Sequence, residues 1–176
     1  IIVGEIRGAE GAIAFQAMQT GHPVMSTFHA GSVKSMIQRI TGDPINVPIA
    51  FVDNLNIVLI QMAVSHGGKF VRRVLSITEI ERYYEPENKM ITREVFTWDS
   101  VDDVQAFRGL YNSYILEKKI AMMLGFEDTR DIYKEMDKRT KILDQMVMHK
   151  IFNYFDVWEI LKNYNLNGES SLPFQI

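Results

Sequence analysis

Two short segments of this 176-residue chain carry side chains whose types and spacing suit chemistry. The first is Ile1-Ile2-Val3-Gly4-Glu5-Ile6-Arg7-Gly8-Ala9-Glu10, an apolar run that ends in an acid. In open parallel sheets ligands bind beyond the strand ends, where a buried strand can aim a carboxylate at magnesium or at water. Gly4 would let another backbone approach closely. A packed strand that simply ends in a solvated glutamate has the same pattern. The second segment is Thr20-Gly21-His22-Pro23-Val24-Met25-Ser26-Thr27-Phe28-His29-Ala30-Gly31-Ser32. His29 ends an apolar strand beside small residues that open a helix, a place where an imidazole and helix N–H groups can face a phosphate. A satisfied structural histidine fits there too. Metal binding by His22 and His29 as a pair is disfavoured, because no carboxylate at ligand spacing accompanies them.

The elements that must hold these residues read as strand, helix, strand, helix. Ile1–Gly4 is expected as a buried strand, and Gly8–Thr20 as a helix whose Ile13, Ala14, Ala17 and Met18 recur at helical spacing. Gly21-His22-Pro23 stops that helix. Val24–His29 is the second strand, and Ser32 is a good N-cap for a helix through Met36, Ile37 and Ile40. Short links in this order indicate an α/β core with a mostly parallel sheet. After Pro44 and Pro48 the pattern changes to an antiparallel meander. Its strands are Asn54–Ser65, Phe70–Tyr84 and Met90–Trp98, with turns at His66-Gly67-Gly68-Lys69 and Glu85-Pro86-Glu87-Asn88. From about Ser100 the pattern is helical. One stripe through Tyr111, Ile115, Leu116 and Ile120 ends at Gly125; a second helix is capped by Asp128 or Thr129, and a third by Asn153. Tyr154, Phe155 and Trp158 are expected to pack the last helix. The division this implies is 1–98 for the core with its strands and 99–176 for a helical subdomain.

Composition bounds the rest. At 47% hydrophobic and 23% charged residues the chain is ordinary for a globular protein. Its apolar runs are too short to span a bilayer. The absence of cysteine excludes thiolate catalysis, disulfides and cysteine-built zinc sites. A net charge of −3 with mixed signs argues against strong nucleic-acid binding. Opening directly on an apolar strand, the sequence reads as the downstream part of a longer domain.

Taken together, Gly4-Glu5-Ile6-Arg7-Gly8-Ala9-Glu10 and Thr20-Gly21-His22 through Ser26-Thr27-Phe28-His29-Ala30 resemble the Walker B and His boxes of the type II/IV secretion ATPase superfamily. That family includes the motors of secretion, of pili and of the archaellum. The likeness covers Ile1 to about Glu81, and later stretches such as Ile91-Thr92-Arg93-Glu94-Val95-Phe96 are similar to archaeal members. Gly8 and Ala30-Gly31, where many bacterial members have Asp and Thr-Asn, also fit the archaeal branch.

The resemblance implies a partial RecA-like P-loop NTPase core, lacking the Walker A strand and loop, followed by the β-meander and the helical subdomain. It implies ATP hydrolysis with Mg2+ in the full-length protein. Glu5 is then the catalytic Walker B acid, acting on magnesium through water, and His29 a catalytic residue near the γ-phosphate. Arg7, Glu10, His22 and Thr27 line the nucleotide side. It further implies a homo-hexamer at the cytoplasmic face of the membrane, docked on an integral-membrane platform protein. No Gly-x4-Gly-Lys-Ser/Thr occurs in these residues, and Gly67-Gly68-Lys69 is followed by Phe70. A non-catalytic assembly or docking module is therefore the alternative.

Overall fold

The computed structural model describes Ile1–Ile176 as two compact units, Ile1–Ile120 and Ala121–Ile176. In the first unit, strand β1 (Ile2–Val3) pairs in parallel with β2 (Met25–Ser26), joined through helix α1 (Glu10–Gln19). Helix α2 (Val33–Thr41) follows β2, and Ser32 caps it: its Oγ accepts from Ser35 N at 3.1 Å while Ser35 Oγ accepts from Ser32 N. This reciprocal pair satisfies two helix-end donors, as the sequence suggests. A 3-10 turn at Ile49–Asn54 leads into an antiparallel sheet of order β3-β4-β5-β6. Its strands are β3 (Ile57–His66), β4 (Lys69–Tyr84), β5 (Lys89–Asp99) and β6 (Val104–Phe107). The β3–β4 turn places Gly67 and Gly68 at φ 56° and 74°, the left-handed pair that a tight hairpin requires.

One core serves both sheets of this unit. Ile6, Phe15, Met36, Ile40, Val52, Val58, Ile60 and Ile80 are buried together. In β4 three successive residues, Thr78, Glu79 and Ile80, are all buried, and the β4–β5 register shifts on either side of them, between Ile77 and Thr78 and between Ile80 and Arg82. A strand burying one face alone would expose one of the three, so β4 is covered on both faces along this stretch. Beyond β5, residues expected to be helical from about Ser100 instead form a turn and β6. Asp103, at φ 53°, accepts Arg73 Nε and Nη2 at 2.7 and 2.6 Å and Trp98 Nε1 at 2.9 Å. A turn anchored to β4 by a bidentate arginine can carry a fourth strand; no local periodicity announces that.

Two expectations about burial in this unit fail. Ile1–Gly4 is not a buried strand, for Ile2 is 78% exposed, and a Cβ built at Gly4 would meet open space. β1 and β2 each have one hydrogen-bonded neighbour here, and the pair reaches the core through Val3, Ile6, Val24 and Phe28. In α1 the packed face is Gly11, Ala14 and Phe15 with Met18 beside them, while Ile13 points outward. Gly11 explains the choice of face: a Cβ there would lie 2.7 Å from Ile45 Cγ2 and 2.9 Å from Ile6 Cγ2. Gly11→Ala is expected to destabilise the chain by about 1–2 kcal/mol, because overpacking outweighs the better helix propensity. Urea denaturation checks this, and a more stable variant would show that the two isoleucines relax without cost.

In the second unit the helical turns of α3 (Ala121–Met123) end at Gly125, and Asp128 caps the next turn by accepting from Arg130 N at 2.9 Å. Helices α4 (Ile132–Met148) and α5 (Tyr154–Asn167) form the body, with Asn153 capping α5 through Phe155 N. Ile142, Met146 and Tyr164 are its core, covered by Val157, Leu161 and the tail residues Leu172, Phe174 and Ile176. Tyr154, Phe155 and Trp158 do not pack the helix; all three are exposed. The stripe that does so is Val157, Leu161 and Tyr164, and the aromatic trio falls on another face of the same helix.

Candidate functional site

Two backbone-level bonds bring the two chemical segments to a common level. Ile6 N donates to the Thr27 carbonyl at 3.1 Å, and Thr27 Oγ1 donates to the Gly4 carbonyl at 2.6 Å. The parallel pairing thus continues past the last regular residues of β1 and β2. Both strands then release their next polar side chains at the same C-terminal edge, where open α/β sheets bind ligands.

Glu5 and His29 meet there. His29 Nε2 lies 2.9 Å from Glu5 Oε1, and Arg7 Nε lies 2.7 Å from the same oxygen. Oε1 is shielded from solvent, and Arg7 and His29 close over it without aligned hydrogen-bond geometry. The Glu5 side chain as a whole is 26% exposed. The Arg7 side-chain contact draws its carboxyl below the usual range. Partial desolvation opposes this, and the charges of Arg7 and His29 reinforce it. The Arg7 guanidinium is correspondingly pushed up by its contact with Glu5.

The other expected site residues take supporting places. Glu10, the first residue of α1, reaches back so that Oε1 accepts Arg7 N at 2.7 Å and Gly8 N at 2.9 Å. Those backbone donors lower its pKa and fix the loop that carries Arg7. Thr27 is the strand tie described above. His22 lies at the other end of β2, with Nδ1 3.0 Å from Thr20 Oγ1. Glu5, Arg7 and His29 therefore form one cluster, Glu10 and Thr27 shape it, and His22 contacts Thr20 instead.

Arg39 enters the site without having been singled out as a site residue. Its Nη1 donates to the His29 carbonyl, and its guanidinium lies 4.9 Å from the centre of the Phe28 ring. The available signal was its position in the last turn of α2, beside the buried Ile40. Which backbone it reaches is decided by where α2 lies relative to β2. A hard-cation site suits this corner only in part. No group of three or more His, Asp or Glu is gathered to hold a metal. One carboxylate at a strand end is nevertheless the donor that Mg2+ takes from a protein when waters and phosphates complete its shell.

The fold and the cluster place the chain in a class of α/β proteins with an acid–histidine pair at a parallel strand edge. A family model described as type II/IV secretion system protein matches residues 1–150, and the chain belongs to that family. Its members are generally ATPases. Among relatives, the uncharacterized protein MJ0900 of Methanocaldococcus jannaschii is 54% identical over 176 residues, all of this chain and 32% of that protein. The uncharacterized protein MJ1287 of the same archaeon is 38% identical over 150 residues, 85% of this chain and 54% of that protein. A third, the uncharacterized protein MJ0781, is 24% identical over 146 residues, 83% of this chain and 20% of that protein. These archaeal relatives support the archaeal branch, and the chain spans only about a third to a half of the first two. No helix is long and apolar enough to cross a membrane.

Proposed function

We propose that the chain is the C-terminal part of a hexameric, ATP-hydrolysing motor that powers secretion, pilus or archaellum assembly from the cytoplasmic face of a membrane. The observation that carries this reading is the convergence of Arg7 and His29 on one oxygen of Glu5 at the C-terminal edge of a parallel strand pair. An acid so placed is suited to orient an attacking water or a water of the magnesium shell. His29, anchored through its own carbonyl by Arg39, is suited to sense the terminal phosphate. Glu10 and Thr27 keep both strand ends in place.

A partial RecA-like core is part of the proposal. The free edges of β2 and β3 stand over one shared core, which leaves both able to take a further strand. The phosphate cradle and its lysine belong, on this reading, to residues upstream of Ile1 in the full-length protein. Bound Mg-ATP would supply the reacting phosphate and the cation; Glu5 would then aim water, with His29 beside it.

A second reading rests on the exposed aromatic face of α5, where Tyr154, Phe155 and Trp158 lie open. A patch of this kind suits docking, and an integral-membrane platform protein is the partner proposed for it. The two readings are compatible if the first unit hydrolyses and the second docks.

The 176-residue chain alone is expected to show no saturable Mg-ATP binding in the micromolar range typical of enzyme ligands. Isothermal calorimetry tests this alongside the same titration on a chain extended upstream through the phosphate loop. Stoichiometric binding by the 176 residues would overturn the half-site assignment. An extended chain that neither binds nor hydrolyses ATP would overturn the motor.

A further inference from the structure

We propose that Arg7 is a latch on Glu5, occupying one oxygen of its carboxylate while the site is idle and swinging away before that oxygen can act. The inference rests on the reading of Glu5 as the acid that works on water or on the magnesium shell. Arg7 Nε and His29 Nε2 press on the same oxygen at 2.7 and 2.9 Å, and that atom is closed to solvent. With both partners in place this oxygen, unlike the other carboxylate oxygen, is closed to a water.

The two partners differ in reach, not in exposure. His29 is fixed at its backbone by Arg39 and Arg7 at its backbone by Glu10, and the side chains are 79% and 73% exposed. The arginine stem is the longer and the richer in rotatable bonds. Its guanidinium can therefore leave by rotating flexible side-chain torsions, without unpacking any core. An exposed ion pair of this kind is a weak contact. A triphosphate offers a guanidinium a more highly charged, bidentate partner than one carboxylate oxygen. Arrival of nucleotide thus draws Arg7 off Glu5 and frees the acid, and the released state is favoured in proportion to that difference in binding. On this view Arg7 restrains turnover when the site is empty or misaligned and adds an anion contact when it is filled.

The test uses the full-length protein with Arg7→Met, which keeps the stem and removes the cation. Idle ATP turnover should rise by about two- to fivefold, the factor that a surface ion pair is worth. The Mg2+ concentration that half-saturates binding of a non-hydrolysable ATP analogue should fall by a similar factor. Glu5→Gln combined with Arg7→Met should be no faster than Glu5→Gln alone. An unchanged melting temperature identifies folded samples, as expected for an exposed side chain. If Glu5→Gln is slow but Arg7→Met is no faster than the parent, or its Mg2+ dependence is unmoved, the latch is wrong and the role of Glu5 stands. If Glu5→Gln turns over at the parent rate, the role of Glu5 falls and the latch falls with it.

Discussion

Replacing Glu5 by glutamine in the full-length protein is expected to lower ATP turnover by about 10²-fold or more, a loss typical of a positioned acid–base group. Nucleotide affinity should change little, because on the proposed reading an upstream phosphate cradle supplies most of the ground-state contacts. The amide keeps the shape of the side chain but lacks the charge that Arg7 compensates. The Arg7 contact keeps the carboxyl low, so Glu5 is ionised at neutral pH in the structure described here. That favours orienting water over abstracting a full proton, since the best base has a pKa near the working pH. His29→Ala should reduce turnover less, because its ring supports the acid and senses phosphate rather than acting on water itself. If the cluster is purely structural, both changes should lower the melting temperature and leave the rate per folded molecule unaltered. Measuring both quantities on the same samples separates the outcomes.

Glu79→Ala is expected to cost about 3 kcal/mol of stability in the first unit, since a buried donor left without its partner costs about 1–3 kcal/mol. Glu79 is 3% exposed in the middle of β4. Its Oε1 accepts Ser113 Oγ at 2.5 Å, and its Oε2 accepts Tyr114 N at 2.7 Å and Ile115 N at 3.2 Å. Ser113 Oγ in turn accepts Leu116 N. A strand side chain thus caps the helical turns at Ile115–Ile120 from outside and holds them to the sheet. Alanine would leave these donors facing a void. Glutamine keeps one carbonyl acceptor and should cost less. Urea denaturation followed by Trp98 fluorescence in a Trp158→Phe background reads the first unit alone, since the chain has two tryptophans. A loss below about 1 kcal/mol would mean that water or a shifted turn satisfies the same donors.

What the sequence determined by itself was local. The helix caps at Ser32, Asp128 and Asn153, the Gly67-Gly68 turn and the antiparallel order of β3, β4 and β5 were all legible, because they depend on neighbouring residues and backbone preference. Glu5, Arg7 and His29 could be picked out from motif spacing; Arg39 could not. Their contacts were not legible. That Arg7 and His29 share one oxygen of Glu5, that Arg39 fixes His29, and that His22 lies at the far end of β2 follow from how β1, β2 and α2 are brought side by side. Burial was likewise a tertiary decision. Ile2, Ile13 and Trp158 are apolar yet exposed, while Glu79 is charged in type yet buried, because each position is set by what packs over it. β6 makes the same point: the Arg73–Asp103 contact that anchors its turn joins residues thirty apart in sequence, a separation no local pattern can encode.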